Sequence, residues 1–149
     1  MKALRDEFEP LLISPSGIHP TAELCKAAWD EYRIIEDGCS LDEQIHKAHA
    51  WLSRADRTQV INKRAGTSSR LKHLVESWFS ARQEGDVPVS NGSFLMAAHR
   101  LGFKIEPSHI RHASGLIIRD GLNAYINISQ QSIMNSYRET YPEDPEAPR

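Results

Sequence analysis

Two segments decide the fold: Ser69-Arg-Leu-Lys-His-Leu-Val-Glu-Ser-Trp-Phe79 and Ser90-Asn-Gly-Ser-Phe-Leu-Met-Ala-Ala-His-Arg-Leu-Gly-Phe103. Apolar residues recur in the first segment at three-to-four spacing, which predicts an amphipathic helix from Ser69 to Arg82. In the second segment, Ser90 or Asn91 can cap a helix, and Gly102 suits the left-handed position that comes after one. The sequence therefore predicts two consecutive helices, 69–82 and 90–101.

A β-hairpin is predicted after these helices. Residues 123–128 alternate apolar and polar, which is the period of a half-buried strand. One alternative pairs them with residues 103–105 across a long loop. The other pairs them with residues 116–118 through a tight turn at Asp120-Gly121, and leaves 103–105 separate. Two helices and then a hairpin are typical of a winged helix, so we expect an α+β, mostly helical protein with a winged-helix-like helix-turn-helix.

The 149-residue chain divides into four parts. Residues 1–20 contain three prolines, which predict an extended arm. Residues 21–56 predict an acidic pair of helices, the second of which begins with a capping box at Ser40. Residues 57–138 would form the basic winged-helix-like domain. Residues 139–149 are acidic and proline-rich, and we expect this tail to be disordered.

Three local features refine this division. The first helix of the pair is expected to run from about Thr21 to Ile35. Residues 60–61 predict a short strand that joins the hairpin, as in many winged helices. Trp29 and Trp51 fall away from the apolar stripes of their helices, so they would pack between the two helices or mark an interface.

Charge is distributed unevenly along a chain whose formal net charge is only -2. Residues 1–56 carry 6 Lys/Arg and 11 Asp/Glu, residues 57–138 carry 11 and 5, and residues 139–149 carry 1 and 4. The basic part coincides with the predicted helices and hairpin. An excess of positive charge on one part of a chain favours an anionic partner such as nucleic acid.

Together these features predict binding to double-stranded DNA. Helix 90–101 would lie in the major groove, where Asn can pair bidentately with adenine and Arg with guanine. The residues facing the bases would be Ser90, Asn91, Ser93, His99 and Arg100. The phosphate backbone would be contacted by Arg64, Arg70, Lys72, Lys104, Arg111 and Arg119. Residues 104–122 would act as the wing, and the N-terminal helices would allow a homodimer.

Three motifs within residues 62–132 carry a resemblance. The patterns are Ser-x-Leu-Lys-His-x-x-Glu, Ser-Asn-Gly-x-Phe-x-x-Ala-Ala-x-x-x-Gly-Phe and Asn-Ala-Tyr-x-Asn-Ile-Ser, and they resemble small uncharacterised proteins of phages and plasmids. Residues 100–104 are also similar to the winged-helix tails of phage-type primases. The resemblance implies a mobile-element context and a winged helix, and it supplies no catalytic residues.

Catalytic and metal chemistry find less support in the sequence. The pairs His46/His49 and His109/His112 have ligand-like spacing, but zinc sites usually show tighter Cys/His clusters. A phosphate loop, a nucleophile elbow and an HExxH motif are all missing from the sequence. We therefore expect neither an enzyme nor a bound metal or cofactor.

A protein-binding function is the alternative hypothesis. The acidic helices could bind a protein partner, as in an inhibitor or adaptor such as a phage-encoded blocker of a host nucleic-acid-binding defence complex. The acidic residues concerned are Asp30, Glu31, Glu36, Asp37, Asp42 and Glu43.

Composition also bears on the compartment. The N-terminal residues lack the apolar run of a secretory signal, and two cysteines are too few for a disulfide framework. Apolar runs in the sequence fall short of the roughly 20 residues that cross a bilayer. We therefore expect a cytoplasmic protein without membrane association.

Overall fold

A computed structural model of the chain describes residues 2–32, 40–82, 88–111 and 113–144. The fold is α+β, as expected, with helices and two antiparallel two-stranded sheets. In chain order the elements are α1 (Lys2–Phe8), a 3-10 turn (Glu9–Leu11), β1 (Ile13–Ser14), β2 (Gly17–Ile18), α2 (Ala22–Glu31), α3 (Leu41–Leu52), a second 3-10 turn (Lys63–Ala65), α4 (Ser68–Ala81), α5 (Asn91–Arg100), β3 (Ile105–Arg111), β4 (Ile117–Ile126) and α6 (Gln130–Thr140).

The first twenty residues form a helix, a 3-10 turn and a small hairpin, and not the extended arm that the prolines predicted. Pro10 lies at the start of the 3-10 turn, where a missing N–H costs nothing. Pro15 lies in the turn between β1 and β2. Phe8 and Ile13 are buried in the main core, and Trp29 donates a hydrogen bond to the Ile13 carbonyl at 3.0 Å. The prolines therefore mark turns of a packed segment.

α5 is the central helix of the fold. It packs against α3 and α4 and also against the β1–β2 hairpin, β3 and β4. Residues 92–98 are all buried, and Phe94, Leu95 and Met96 have no exposed surface. A helix that is apolar on every side is stable in water only when other elements cover it from every side. α5 therefore has neighbours on the face that the sequence assigned to DNA.

β3 and β4 form one long hairpin, which confirms the first of the two predicted pairings and contradicts the second. Ile105 pairs with Ile126, as the first alternative expected, although much of the long loop expected between them is strand. Residues 117–118 pair with 110–111 and lie in the same strand as 123–126, so they do not pair with that segment as the second alternative expected. The Asp120-Gly121 position lies within β4, and the connection between the strands falls after Arg111.

The predicted strand at residues 60–61 does not form. Its place is taken by a looser pairing of the same part of the chain with the end of β4. Arg57 forms an isolated antiparallel bridge with Ile128, and the Asn62 backbone amide donates to the Ile126 carbonyl at 3.0 Å. The segment 57–62 thus runs beside the hairpin with only part of a strand's ladder.

α6 is held against α3 and α4 by polar contacts, of which the hydrogen bond from Trp51 is buried. Trp51 donates to the Ser136 hydroxyl at 2.8 Å, so this tryptophan fixes α6 and is not exposed at an interface. Glu139 accepts from Trp78 at 2.8 Å and from both terminal nitrogens of Arg54 at 3.1 Å. Burial raises the pKa of Glu139, but these hydrogen bonds outweigh it and hold the pKa below its usual range.

Some predictions fall outside the described residues. They include residues 33–35 of the helix expected from Thr21 to Ile35, and residues 145–149 of the expected tail. That helix is shorter than expected, because α2 ends at Glu31 and the backbone of Tyr32 is extended. The tail's first two residues belong to α6. Among the helices described, none combines the length and the apolar character needed to span a membrane.

Candidate nucleic-acid interface

The start of α5 is occupied by contacts within the protein. The Ser90 hydroxyl caps the helix by accepting from the Ser93 amide at 3.0 Å. Gln44 of α3 accepts from the Ser90 amide at 2.8 Å and from the Ser93 hydroxyl at 3.2 Å. Ser93 has no exposed surface. Both serines that were expected to face DNA bases therefore hold α5 against α3.

Asn91 and Gly92 join α5 to two other elements. The Asn91 side-chain amide donates to the Ser16 carbonyl at 3.3 Å and to the Leu122 carbonyl at 3.1 Å. A Cβ atom at Gly92 would lie 1.7 Å from the Ser14 carbonyl oxygen, so only glycine allows the β1–β2 hairpin to pack this closely. The Ser-Asn-Gly motif is thus explained by capping and close packing.

The end of α5 carries its exposed polar residues, and the N-terminal helix engages them. Arg100 donates to both carboxylate oxygens of Glu7, at 3.0 and 2.8 Å, and its guanidinium lies 5.3 Å from the Phe8 ring centre. His99 contacts the same ring edge-on, with the ring centres 6.3 Å apart. The hydrogen bonds from Arg100 hold the pKa of Glu7 below its usual range.

These contacts correct the expected role of α5. Residues 92–98 are buried, and the polar groups at both ends of the helix bind other parts of the chain. A helix in this position cannot enter a DNA groove unless α1 and the β1–β2 hairpin move away. The sequence analysis missed this because residues 1–20, which form α1 and the β1–β2 hairpin, were expected to be an extended arm.

A second group of cations lies on the surface where segment 57–62, the start of α4 and the hairpin meet. We call this surface the basic edge, and its members are Arg57, Lys63, Arg64, Arg70 and Lys104. Residues 57–72 carry five Lys/Arg and no Asp/Glu. Such a run concentrates positive charge without a neighbouring carboxylate in the sequence.

Contacts along segment 57–62 bring the basic edge together. Lys104 donates to the Gln59 carbonyl at 2.7 Å, and Arg57 donates at 2.9 Å to the carbonyl of Leu101, the residue that follows α5. Lys63 lies 3.5 Å from the Glu106 carboxylate on β3. A backbone carbonyl orients a cation without neutralising its charge. The positive charge of Arg57 and Lys104 is therefore still available to an anion.

Arg64 and Arg70 complete the basic edge at the start of α4. Both are exposed, and no ion pair joins either of them to a carboxylate within the described ranges. Ser68 fixes this end of α4 to the hairpin by accepting from the Ala124 amide at 3.0 Å. Gly66 gives the Arg70 side chain room, since a Cβ there would lie 2.6 Å from Arg70 Cδ. The two arginines are thus held on a fixed scaffold.

Lys72 lies apart from the basic edge. Its ammonium is 3.8 Å from the Glu76 carboxylate, and only about a fifth of its side chain is exposed. Glu76 also pairs with His73 at 3.0 Å and accepts from the Val89 amide at 2.8 Å. The hydrogen bond from Val89 to Glu76 ties the segment before α5 to α4. Lys72 pairs with the same glutamate, so it takes part in contacts within the fold.

Arg111 and Arg119 lie on the outer half of the hairpin. Arg111 pairs with Ile117, and Arg119 pairs with His109. These register positions place both arginines in the hairpin that carries Lys104 at its base. Of the six residues predicted to contact phosphates, the structure therefore places Arg64, Arg70 and Lys104 on the basic edge and two more in the adjoining hairpin, and it adds Arg57 and Lys63. The sequence signal for Arg57 and Lys63 was the segment 57–72, which contains no Asp or Glu.

The structure also bears on catalytic chemistry. The Ser14 hydroxyl lies 2.6 Å from His19 Nε2, which is a nucleophile-and-base arrangement, but Ser14 has no exposed surface for a substrate to reach. Cys25 is likewise buried, and burial raises the pKa of its thiol. Across the residues that the structure covers, no three His, Cys, Asp or Glu side chains come together to hold a metal ion.

Comparisons with protein-family models, with curated proteins and with solved structures found no match to this chain. The resemblance to phage and plasmid proteins therefore depends on the quoted motifs alone. The function has to be inferred from the basic edge and the hairpin themselves.

Proposed function

We propose that this chain binds double-stranded DNA through the basic edge and the hairpin. It would be a variant of the winged helix in which α5, the helix expected to enter the DNA groove, is covered by other parts of the chain. The order of elements supports the proposal. α3, segment 57–62, α4, α5 and the β3–β4 hairpin succeed one another in the helix, strand, helix, helix and hairpin order of that fold. The bridge between Arg57 and Ile128 places segment 57–62 beside β4, where a third strand would lie.

The observation that carries the proposal is a group of four cations on the basic edge, Arg57, Arg64, Arg70 and Lys104, that no carboxylate neutralises within the described ranges. Arg57 and Lys104 bind carbonyls, and Arg64 and Arg70 have no carboxylate partner within the described ranges. Neutralising a phosphate releases counterions, and each contact changes the log–log salt slope by about -0.9. Because Lys63 pairs with Glu106, four cations of the basic edge remain, and their contacts would give a slope of about -3 to -4.

The biological setting is proposed from the sequence resemblance. Phage and plasmid proteins of this size support a role in transcriptional control or an accessory step in replication or defence. A homodimer through the N-terminal helices stays a prediction, which light scattering of the purified chain would measure. Trp29 and Trp51 are buried within the chain, so neither supplies a contact for that dimer.

The test is fluorescence anisotropy of a labelled random-sequence duplex, titrated with protein at several salt concentrations. Arg64→Glu and Arg70→Glu are compared with Lys26→Glu, which makes the same change in net charge on α2. Lys26 is exposed and pairs with Asp30, away from the basic edge. We expect each substitution on the basic edge to reduce affinity well beyond Lys26→Glu and to lower the salt slope by about 1.

Two outcomes would contradict the proposal. If the wild-type protein does not bind the duplex even at about 50 mM salt, where phosphate contacts are strong, the chain does not bind DNA in this way. If Arg100→Ala weakens binding while Arg64→Glu and Arg70→Glu do not, α5 is the contact surface, and α1 and the β1–β2 hairpin must move away from it.

The alternative is that the acidic N-terminal helices bind a protein. Asp42 and Glu43 are exposed at the start of α3. Asp30 is already engaged by Arg5 at 2.8 Å and Lys26 at 3.1 Å, and these hydrogen bonds hold its pKa below the usual range. Glu36 and Asp37 lie outside the described residues. Failure of DNA binding together with specific capture of a partner would favour this alternative.

A further inference from the structure

The β3–β4 hairpin divides into two halves at an irregularity in its register. Residues 105–107 pair with 124–126, and residues 109–111 pair with 117–119. Between these blocks a single residue of β3 opposes four residues of β4. A bulge of this kind bends the strand and redirects the residues beyond it. We call the described residues of the outer half, 109–111 and 113–119, the hairpin finger.

The two halves differ in burial. Ala124 and Ile126 of the inner half have no exposed surface, because they pack on the core. At the tip of the hairpin finger, Leu116 is 62% exposed and Ile117 is 58% exposed. A Cβ atom at Gly115 would meet no atom within 4 Å. The hairpin finger therefore extends from the core and carries two adjacent large apolar side chains at its end, a pattern that marks interaction sites.

Charge indicates which partner fits this tip. Residues 109–119 contain two arginines, two histidines and no Asp or Glu. Two copies of the chain joined through their hairpin fingers would bring like charges together, which disfavours a homodimer at this surface. An anionic partner is favoured instead. The hairpin finger also continues from the strand that carries Lys104 at its base, so it adjoins the basic edge.

We infer that the hairpin finger enters the minor groove of DNA and inserts Leu116 and Ile117 between base pairs, which bends the duplex. This inference rests on the proposed binding to DNA. The backbones of a ribbon's two strands lie about 4.8 Å apart, and the side chains add to that width. The ribbon is therefore wider than the minor groove of B-DNA, which is about 6 Å wide, and the groove must open to admit the finger. Apolar side chains inserted at a base step unstack it and kink the duplex by roughly 20–90°.

The arginine positions of the hairpin finger agree with this use. The minor groove has a strong negative potential that attracts arginine. Arg111 pairs with Ile117, and Arg119 lies two residues further along β4. The tip therefore has apolar residues at its end and cationic residues directly behind them. This arrangement suits a protein that both enters the groove and neutralises the phosphates on either side.

The experiment measures bending by energy transfer between dyes at the two ends of a duplex of about 30 base pairs, which is well below the persistence length of DNA. Leu116→Thr/Ile117→Thr is compared with wild type and with Leu24→Thr. Leu24 is 52% exposed on α2, away from the basic edge, so it controls for loss of an exposed apolar side chain. Affinity and salt slope are measured on the same duplex, and circular dichroism checks folding.

We expect wild type and Leu24→Thr to raise the energy transfer on binding. The double variant should lose most of that increase, keep the salt slope, and bind within about tenfold of wild type. If wild type binds without added energy transfer, or the double variant bends DNA as wild type does, the inserted tip is refuted while DNA binding stands. If the protein binds phosphatidylserine vesicles and no duplex, both proposals fall.

Discussion

α5 and the basic edge differ in how their polar side chains are satisfied. At α5, the Ser90 amide, the Ser93 hydroxyl and the Arg100 guanidinium all have partners within the chain. At the basic edge, the partners that the described part of the chain gives Arg57 and Lys104 are neutral carbonyls. Polar residues at a helix start are therefore a weak indication of base reading, because caps require the same residues. A cation without a nearby carboxylate is a stronger indication of a site that binds nucleic acid.

The largest expected effect comes from Gly92→Ala. The new Cβ would overlap the Ser14 carbonyl and the Pro15 backbone, and backbone atoms cannot move aside as a flexible side chain can. We expect a loss of about 3 kcal/mol in the free energy of unfolding, as for other overpacked cores. Urea denaturation measures it.

Gly115→Ala is the matched control for that experiment. Gly115 has a positive φ of 91°, but its Cβ would meet nothing, so we expect a loss of only about 1 kcal/mol from backbone strain. If Gly92→Ala lowers the free energy of unfolding no more than Gly115→Ala does, the β1–β2 hairpin does not pack on α5 as closely as the structure indicates.

Gln44→Ala tests the polar contacts that hold the start of α5. The substitution removes the acceptor of the Ser90 amide and of the Ser93 hydroxyl in a buried site. We expect a loss of about 2 kcal/mol, the usual cost of leaving a buried donor without a partner. Gln131→Ala removes an exposed glutamine on α6 and should stay within about 0.5 kcal/mol. Equal effects of the two substitutions in thermal unfolding would rule out this role for Gln44.

Arg100→Ala should have a smaller effect that depends on pH. Because both side chains of the Arg100–Glu7 pair are more than a third exposed, we expect a loss of only about 0.5 kcal/mol at pH 7. The pKa of Glu7 is lowered in the folded protein. The stabilisation is therefore complete above about pH 4.3, where a free glutamate titrates, and is lost as the pH falls through the lowered value.

The measurement is denaturant unfolding of wild type and Arg100→Ala at pH 7 and near pH 3. The difference between the two proteins should shrink at the lower pH. In an NMR titration, the Glu7 carboxyl of the variant should titrate at a higher pH than in wild type. A difference in stability that is the same at both pH values would mean that the ion pair is not its source.

Arg64→Ala should change stability least. Arg64 has no carboxylate partner within the described ranges, so its removal should alter the free energy of unfolding by less than about 0.5 kcal/mol. The variant's affinity for duplex DNA should fall all the same. A loss of stability as large as that of Arg100→Ala would show that Arg64 contributes to the fold, and the contrast between the two regions would disappear.

Local sequence signals succeeded where the contacts are local. Ser40, Ser90 and Thr21 were expected at helix starts, and each hydroxyl accepts from the amide three residues later. The amphipathic stripe of α4 is buried as expected. The N-terminal segment was misread because Pro10 and Pro15 are compatible with both an extended chain and tight turns. Only packing of Phe8 and Ile13 on the core chooses between these conformations.

The sequence by itself determined the α+β class, most helix boundaries and the position of the positive charge, because capping, periodicity and charge are properties of short segments. The tertiary structure decided which cations pair with a carboxylate. The Glu7 carboxylate that binds Arg100 is 93 residues away in the chain, and the Ser14 carbonyl that closes over Gly92 is almost as distant. Burial and ion pairing depend on such distant partners, so they emerge only when the chain has folded.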